Sequence, residues 1–158
     1  MGCSCSVFVS RKKYDVFLSF RGEDTRDNFT SHLREALRKK KIKIYTDDEG
    51  LEKGNEISTT LIKAVKKSKL SVIIFSKQYA SSSWCLDELV QILKCKEKYR
   101  QIVVPVFYGV DPSDIRKQKG NYEIETKGSK STKKKVRAWK TALNKAANIS
   151  GWDSRHVR

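Results

Sequence analysis

Four short apolar runs, rich in β-branched and aromatic side chains, recur along the chain at residues 14–20, 42–46, 70–76 and 102–108. Each is separated from the next by a polar stretch with helical periodicity. Two parallel strands in one sheet need a crossover of a dozen or more residues, usually a helix, and these spacings supply it. The pattern therefore predicts a parallel sheet with helical crossovers, that is, an α/β doubly wound open sheet with helices on both faces. Ligands of such sheets bind outside the carboxyl ends of the strands. The loops after Phe20, Thr46, Ser76 and Tyr108 are thus the expected frame of any site.

The helical stretches carry matching apolar stripes. Phe29, Leu33, Ala36 and Leu37 predict a helix over about 26–40, with Asp24 and Thr25 as cap oxygens before it. Ile57, Leu61, Ala64 and Val65 form a second stripe, after a loop at 47–54 broken by Gly50 and Gly54. Leu86, Leu89, Val90 and Leu93 form a third, with Ser83 as a candidate N-cap. Val136, Trp139, Leu143 and Ala146 form a fourth, over about 132–149, with Gly151 just past its end. Pro105 inside the last run points to an edge or a bulge. Residues 109–120 read as a loop with Asp111-Pro112 as a turn signal. Residues 121–135 are polar, aperiodic and lysine-rich, and read as a mobile segment.

Length and charge narrow the function classes. At 158 residues the chain suits one domain with a real core. Six Phe, six Tyr and three Trp argue against disorder over the whole chain. No apolar run is long enough to span a bilayer, and no secretory signal is expected from the short apolar stretch at 6–10. Four cysteines, none in a C-x-x-C pair, and two distant histidines give no zinc spacing, so no metal is expected. This reads as a reduced cytoplasmic protein. The net charge of +16 favours anionic partners: nucleic acid, phosphorylated small molecules or an acidic membrane. The runs 38–41 and 133–135 are read as solvated helix ends, in preference to a nucleic-acid patch.

On the third helix, Trp84 and Glu88 lie about 40° apart and opposite the Leu86/Leu89/Val90/Leu93 stripe. They sit just past the end of a buried strand, where a crevice is expected. An indole face stacks on a base. A carboxylate accepts ribose hydroxyls and stabilises an oxocarbenium-like ribosyl cation as a glycosidic bond breaks. Arg21 and Arg26, from the first loop, suit a pyrophosphate. The plainer alternative is an indole packed under a loop and a solvated glutamate, and pattern alone favours it.

The motifs themselves shift that balance. Residues 14–26, Tyr-Asp-Val-Phe-Leu-Ser-Phe-Arg-Gly-Glu-Asp-Thr-Arg, resemble the opening of a plant Toll/interleukin-1 receptor (TIR) domain. So do Phe29-Thr30-Ser31-His32-Leu33 and Tyr45-Thr46-Asp47-Asp48. Residues 81–89, Ser-Ser-Ser-Trp-Cys-Leu-Asp-Glu-Leu, are the most specific stretch, and 104–113 match the fourth-strand region. The resemblance runs from about Lys13 to Asp153, leaving a leader at 1–12 and a tail at 154–158. It implies a flavodoxin-like doubly wound parallel sheet of four to five strands. It also implies an NAD-cleaving activity in plant immune signalling, with NAD as substrate and no cofactor. By family motif, Glu88 would be catalytic, Trp84 would line the pocket, and Arg21 and Arg26 would contact the dinucleotide. Self-association with other TIR domains would use Ser31 and His32 on the first helix and the loop around Lys53 and Gly54. Some family members also act on nucleic acid, with which the basic charge is compatible. Two departures are visible. The 121–135 segment lacks the family's aromatic-rich helix, and the chain stops where the family's terminal helix is expected, so that helix reads as missing.

The first six residues, Met-Gly-Cys-Ser-Cys-Ser, fit the N-myristoylation pattern on Gly2, with Cys3 and Cys5 as palmitoylation candidates. Two acyl chains, or one beside the basic 11–13, would hold the chain on a membrane. The alternative is an unmodified leader. The competing functional readings are an assembly-dependent NAD glycohydrolase or cyclase and a non-catalytic TIR–TIR module or decoy. A phospho-accepting receiver on the same sheet type fits poorly, since the first strand ends in Phe20-Arg21-Gly22 and not in an acidic cluster.

Overall fold

The computed structural model describes residues 12–25, 28–46, 59–126 and 128–156. Gly2, Cys3, Cys5, Arg26, Lys53 and Gly54 lie outside the described residues.

The sheet strands are β1 (Tyr14–Ser19), β2 (Ile44–Thr46), β3 (Ser68–Phe75), β4 (Ile102–Phe107) and β5 (Trp152–Asp153). The helices are α1 (Gly22–Thr25, a single turn), α2 (Phe29–Lys39), α3 (Thr59–Lys66), α4 (Ser83–Tyr99), α5 (Pro112–Lys117) and α6 (Lys130–Ala147). Short 3-10 turns occupy Tyr79–Ser81 and Gly120–Tyr122. The strand order is β2-β1-β3-β4-β5, and every pairing is parallel. This is the flavodoxin-like order, whose direction of winding reverses between β1 and β3.

Period-2 alternation divides the strands between two faces. Phe17, Ile73, Phe75 and Phe107 enter a large core with residues of α3, α4 and α6. Leu18, Phe20 and Ile74, with Val72 and Val106, face the other way and meet Phe29 and Leu33 of α2. The aromatic rings of the large core stack: Phe75 lies 5.7 Å from Phe107, nearly parallel, and 5.1 Å from Tyr79, edge-on. Burying an aromatic or branched side chain contributes ~1.5–3 kcal/mol each, so this larger face carries most of the stability.

Several expectations are corrected. Residues 109–120 are not a plain loop. Asp111 caps α5 by accepting from Ser113 N at 2.8 Å, with Pro112 at the first turn, where its missing N–H costs nothing. Residues 121–135 are not a mobile stretch throughout. Tyr122 is fully buried, its hydroxyl donates to the Ser76 carbonyl at 2.7 Å, and α6 begins at Lys130 under a Ser129 cap. Gly151 does not terminate the last helix, which is capped at Asn148. Its role is close approach: a Cβ there would stand 2.1 Å from the Pro105 carbonyl oxygen. Pro105 itself behaves as an edge residue, because β5 reaches only Val106 and Phe107.

Candidate functional site

The carboxyl ends of β1 and β3 flank the point where the sheet reverses direction, and α4 starts beside them. Ser82, not Ser83, caps α4: its side chain accepts from Cys85 N at 3.2 Å. The helix is wedged among the sheet, α3 and α6, so its buried arc is far wider than the four-residue apolar stripe implies. Cys85, Leu86, Asp87, Glu88, Leu89, Ile92 and Leu93 are all buried. Glu88 is therefore not on the face opposite the core. It is 3% exposed, at the margin of the buried arc, and accepts a hydrogen bond from the Ser19 hydroxyl at 2.9 Å. Ser19 is the last residue of β1, in register with Ile73 of β3. Its Oγ also lies 2.9 Å from the Tyr79 hydroxyl, which donates to the Cys85 carbonyl at 3.1 Å.

Trp84 is half-buried and packs against the large core. One turn of helix separates it from Glu88, as the spacing requires. Arg21 lies two residues past the end of β1 and is half-buried. The Cys85 thiol is pushed up to about 12 by burial and the Glu88 charge, against an opposing pull from the Arg21 guanidinium. Arg21, Cys85 and Glu88 therefore share one electrostatic neighbourhood. Asp24 fixes the segment that carries Arg21, accepting from Ser76 Oγ at 2.6 Å and from Gln78 N at 2.7 Å. Burial, followed by the nearby Cys85 and Glu88, raises the Tyr79 hydroxyl well above its ordinary value.

The structure thus brings Glu88, Trp84 and Arg21 to one end of the sheet. Arg26, from the same segment, is outside the described residues, as are Lys53 and Gly54. Ser31 and His32 are exposed on the first turn of α2. Sequence reasoning missed Ser19 and Tyr79, and gave Asp24 only as a helix cap, a role that Asn28 takes for α2. For Ser19 a signal existed: it shares the period-2 face of Phe17 and so points where α4 packs. Tyr79 sits on a 3-10 turn and has no periodic signature. Among the described residues, no group of three or more His, Cys, Asp or Glu side chains could hold a metal ion. None of the described helices is long and apolar enough to cross a membrane.

A buried carboxylate held by a serine hydroxyl, at the reversal point of a parallel sheet, suits stabilisation of a developing cation in a water-poor setting. An adjacent indole suits a planar ring. The comparisons with known proteins agree with this architecture. The family model "TIR domain" matches residues 13–158. TMV resistance protein N of Nicotiana glutinosa is 50% identical over 147 residues, covering 90% of this chain and 13% of that protein. Disease resistance protein RPV1 of Vitis rotundifolia is 51% identical over 140 residues, covering 88% of this chain and 10% of that protein. The chain therefore spans only a small part of the length of these relatives. Among solved structures, the TIR domains of the activated Roq1 resistosome, which recognises the effector XopQ, align at a TM-score of 0.78 and 49% identity. That alignment covers 92% of this chain and 90% of theirs. The TIR domain of the receptor TRR-2 from Hydra magnipapillata shares the fold at a TM-score of 0.52 and 14% identity, over 91% of this chain and 86% of its own. The chain belongs to the TIR domain family.

Proposed function

We propose that this TIR domain cleaves NAD at the nicotinamide ribose, as a signalling step in plant immunity, with Glu88 as the acting carboxylate. The observation that supports it most is the placement of Glu88: buried, hydrogen-bonded to the end of β1, and in the same neighbourhood as Arg21 and Trp84. In this reading Trp84 lies against a planar ring of the dinucleotide, and Arg21, with Arg26, holds the pyrophosphate. Glu88 orients the ribose hydroxyls and stabilises the ribosyl cation as nicotinamide leaves. Water or a hydroxyl of the same nucleotide then captures that cation, giving ADP-ribose or a cyclic product. NAD is consumed as substrate and no cofactor takes part.

Glu88 is only 3% exposed in the single chain, so substrate access requires local opening. Assembly with other TIR domains, through Ser31, His32 and the 53–54 loop, is the proposed trigger. The same burial favours the second reading, a TIR–TIR module without catalysis. Acylation at Gly2, Cys3 or Cys5 is proposed as a means of holding the chain on a membrane, raising its local concentration. The test incubates concentrated full chain with NAD and follows nicotinamide and ADP-ribose by chromatography, beside Glu88→Ala. The enzyme reading expects turnover that Glu88→Ala abolishes; equal rates in both rule Glu88 out, and no turnover at any concentration leaves the docking module.

A further inference from the structure

We propose that Ser19 and Tyr79 are positioning residues for Glu88. Their two hydroxyls form a relay that fixes the carboxylate and lets it take up a proton without stranding a buried polar group. The inference rests on the reading of Glu88 as the group that acts on NAD.

Three elements converge on this relay. Ser19 ends β1, Tyr79 lies on the turn after β3, and Cys85 and Glu88 lie on α4. Both hydroxyl side chains are completely buried, so no solvent replaces a lost partner. The contacts run in series. Glu88 Oε1 is 2.9 Å from Ser19 Oγ, Ser19 Oγ is 2.9 Å from Tyr79 Oη, and Tyr79 Oη is 3.1 Å from the Cys85 carbonyl. The carboxylate is thereby tied, through two other elements, to the first turn of its own helix. That removes its rotamer freedom.

Hydrogen counting gives the relay its second property. The three contacts contain two hydroxyl hydrogens. When Glu88 is ionised, Ser19 donates to the carboxylate, and Tyr79 shares its hydrogen between Ser19 and the Cys85 carbonyl. When Glu88 is protonated, the carboxyl donates to Ser19, Ser19 to Tyr79 and Tyr79 to the carbonyl, so every contact has its own hydrogen. Switching between the states takes only rotation of two O–H bonds. The proton Glu88 accepts, from the capturing water or ribose hydroxyl, is held on the carboxyl without passing along the relay and is lost to solvent when the site opens to release product, which restores the carboxylate. Neither hydroxyl dissociates, because burial holds Tyr79 neutral.

The titratable and charged groups that face this cluster are named by the same electrostatics. Cys85 stays a neutral thiol, pushed up to about 12. Tyr122 stays neutral through burial. Among the described residues, Arg21 and Asp24, on the segment after β1, add charges to the neighbourhood of Cys85. Against that background the two hydroxyls have opposite effects. Ser19→Ala removes a donor to the ionised carboxylate and disfavours the charged form. Tyr79→Phe leaves that donor but deprives Ser19 of its acceptor when Glu88 is protonated, so it disfavours the neutral form.

The experiment uses the full chain labelled with carboxyl ¹³C glutamate, with the Glu88 resonance assigned through Glu88→Gln. Ser19→Ala raises its proton affinity and Tyr79→Phe lowers it, each by about threefold or more. Midpoints that stay put, or move in the same direction, overturn the relay whether or not the chain turns over NAD. In NAD turnover, Ser19→Ala lowers kcat by about 10- to 100-fold with KM within about twofold, and Ser19→Thr recovers most of it. Wild-type kcat in Ser19→Ala, beside inactive Glu88→Gln, overturns the relay alone. Wild-type turnover in Glu88→Gln overturns the reading of Glu88 instead. Thermal midpoints of each variant identify any that fail to fold, and for those Tyr79→Phe, which removes a single oxygen, carries the titration test.

Discussion

Cys85 shows how much environment does to a single side chain. Burial, then the Glu88 charge, hold its thiol far above the range of a free cysteine. The native protein therefore leaves Cys85 unalkylated by iodoacetamide at pH 8, and modification appears only when denaturant unfolds the chain; mass spectrometry of the labelled peptide reads this directly. The stability consequence has a definite sign. A group whose folded value is raised stabilises fully below its unfolded value, near 9 for this thiol. That contribution is lost as pH rises toward about 12. Tyr79 and Tyr122 act in the same direction above about 10. The urea midpoint is expected to hold steady up to about pH 9 and to fall beyond it; a midpoint that rises above pH 9 contradicts the assignment. At this scale the sequence pattern was informative for Trp84 and Glu88, whose one-turn spacing follows from helical geometry alone. It misplaced Glu88 relative to the core, because burial of α4 depends on what three other elements put around it.

Elements were legible where one periodicity ran for several turns or strand positions. β1, β3 and β4 carry the alternation that the two cores require, and α4 and α6 carry long stripes. What escaped was short or was set by contact. α5 is six residues long and announced only by its Asp-Pro start. Gly151 looked like a helix stop because a glycine after a helix usually is one; the crossing of the chain over Pro105 is a tertiary fact. Gly151→Ala is expected to destabilise the protein by about 2–4 kcal/mol, since the displaced atoms are backbone and cannot yield cheaply. A thermal melt unchanged from wild type would show that β5 shifts without cost. Asp24 joins two elements in the same way, linking α1 to the residues after β3. Asp24→Ala leaves Ser76 Oγ and Gln78 N short of a partner and is expected to cost about 1–3 kcal/mol, read from denaturant unfolding.

The whole molecule has to reconcile a closed carboxylate with a proposed reaction. A net charge of +16 repels identical copies at long range, so self-association of the chain should strengthen as salt rises through the Debye screening range. Sedimentation velocity at increasing ionic strength checks this. If assembly opens the site, the NAD turnover rate per mole of protein rises with protein concentration and with salt together. The measurement that reaches the central claim most directly is nicotinamide release from NAD by the full chain at high concentration, beside Glu88→Gln, which keeps the shape of the side chain and removes its charge. The account predicts steady release by the wild-type chain and a loss of at least about 100-fold in the variant. Undiminished release by Glu88→Gln, in a folded protein of unchanged assembly state, would contradict it.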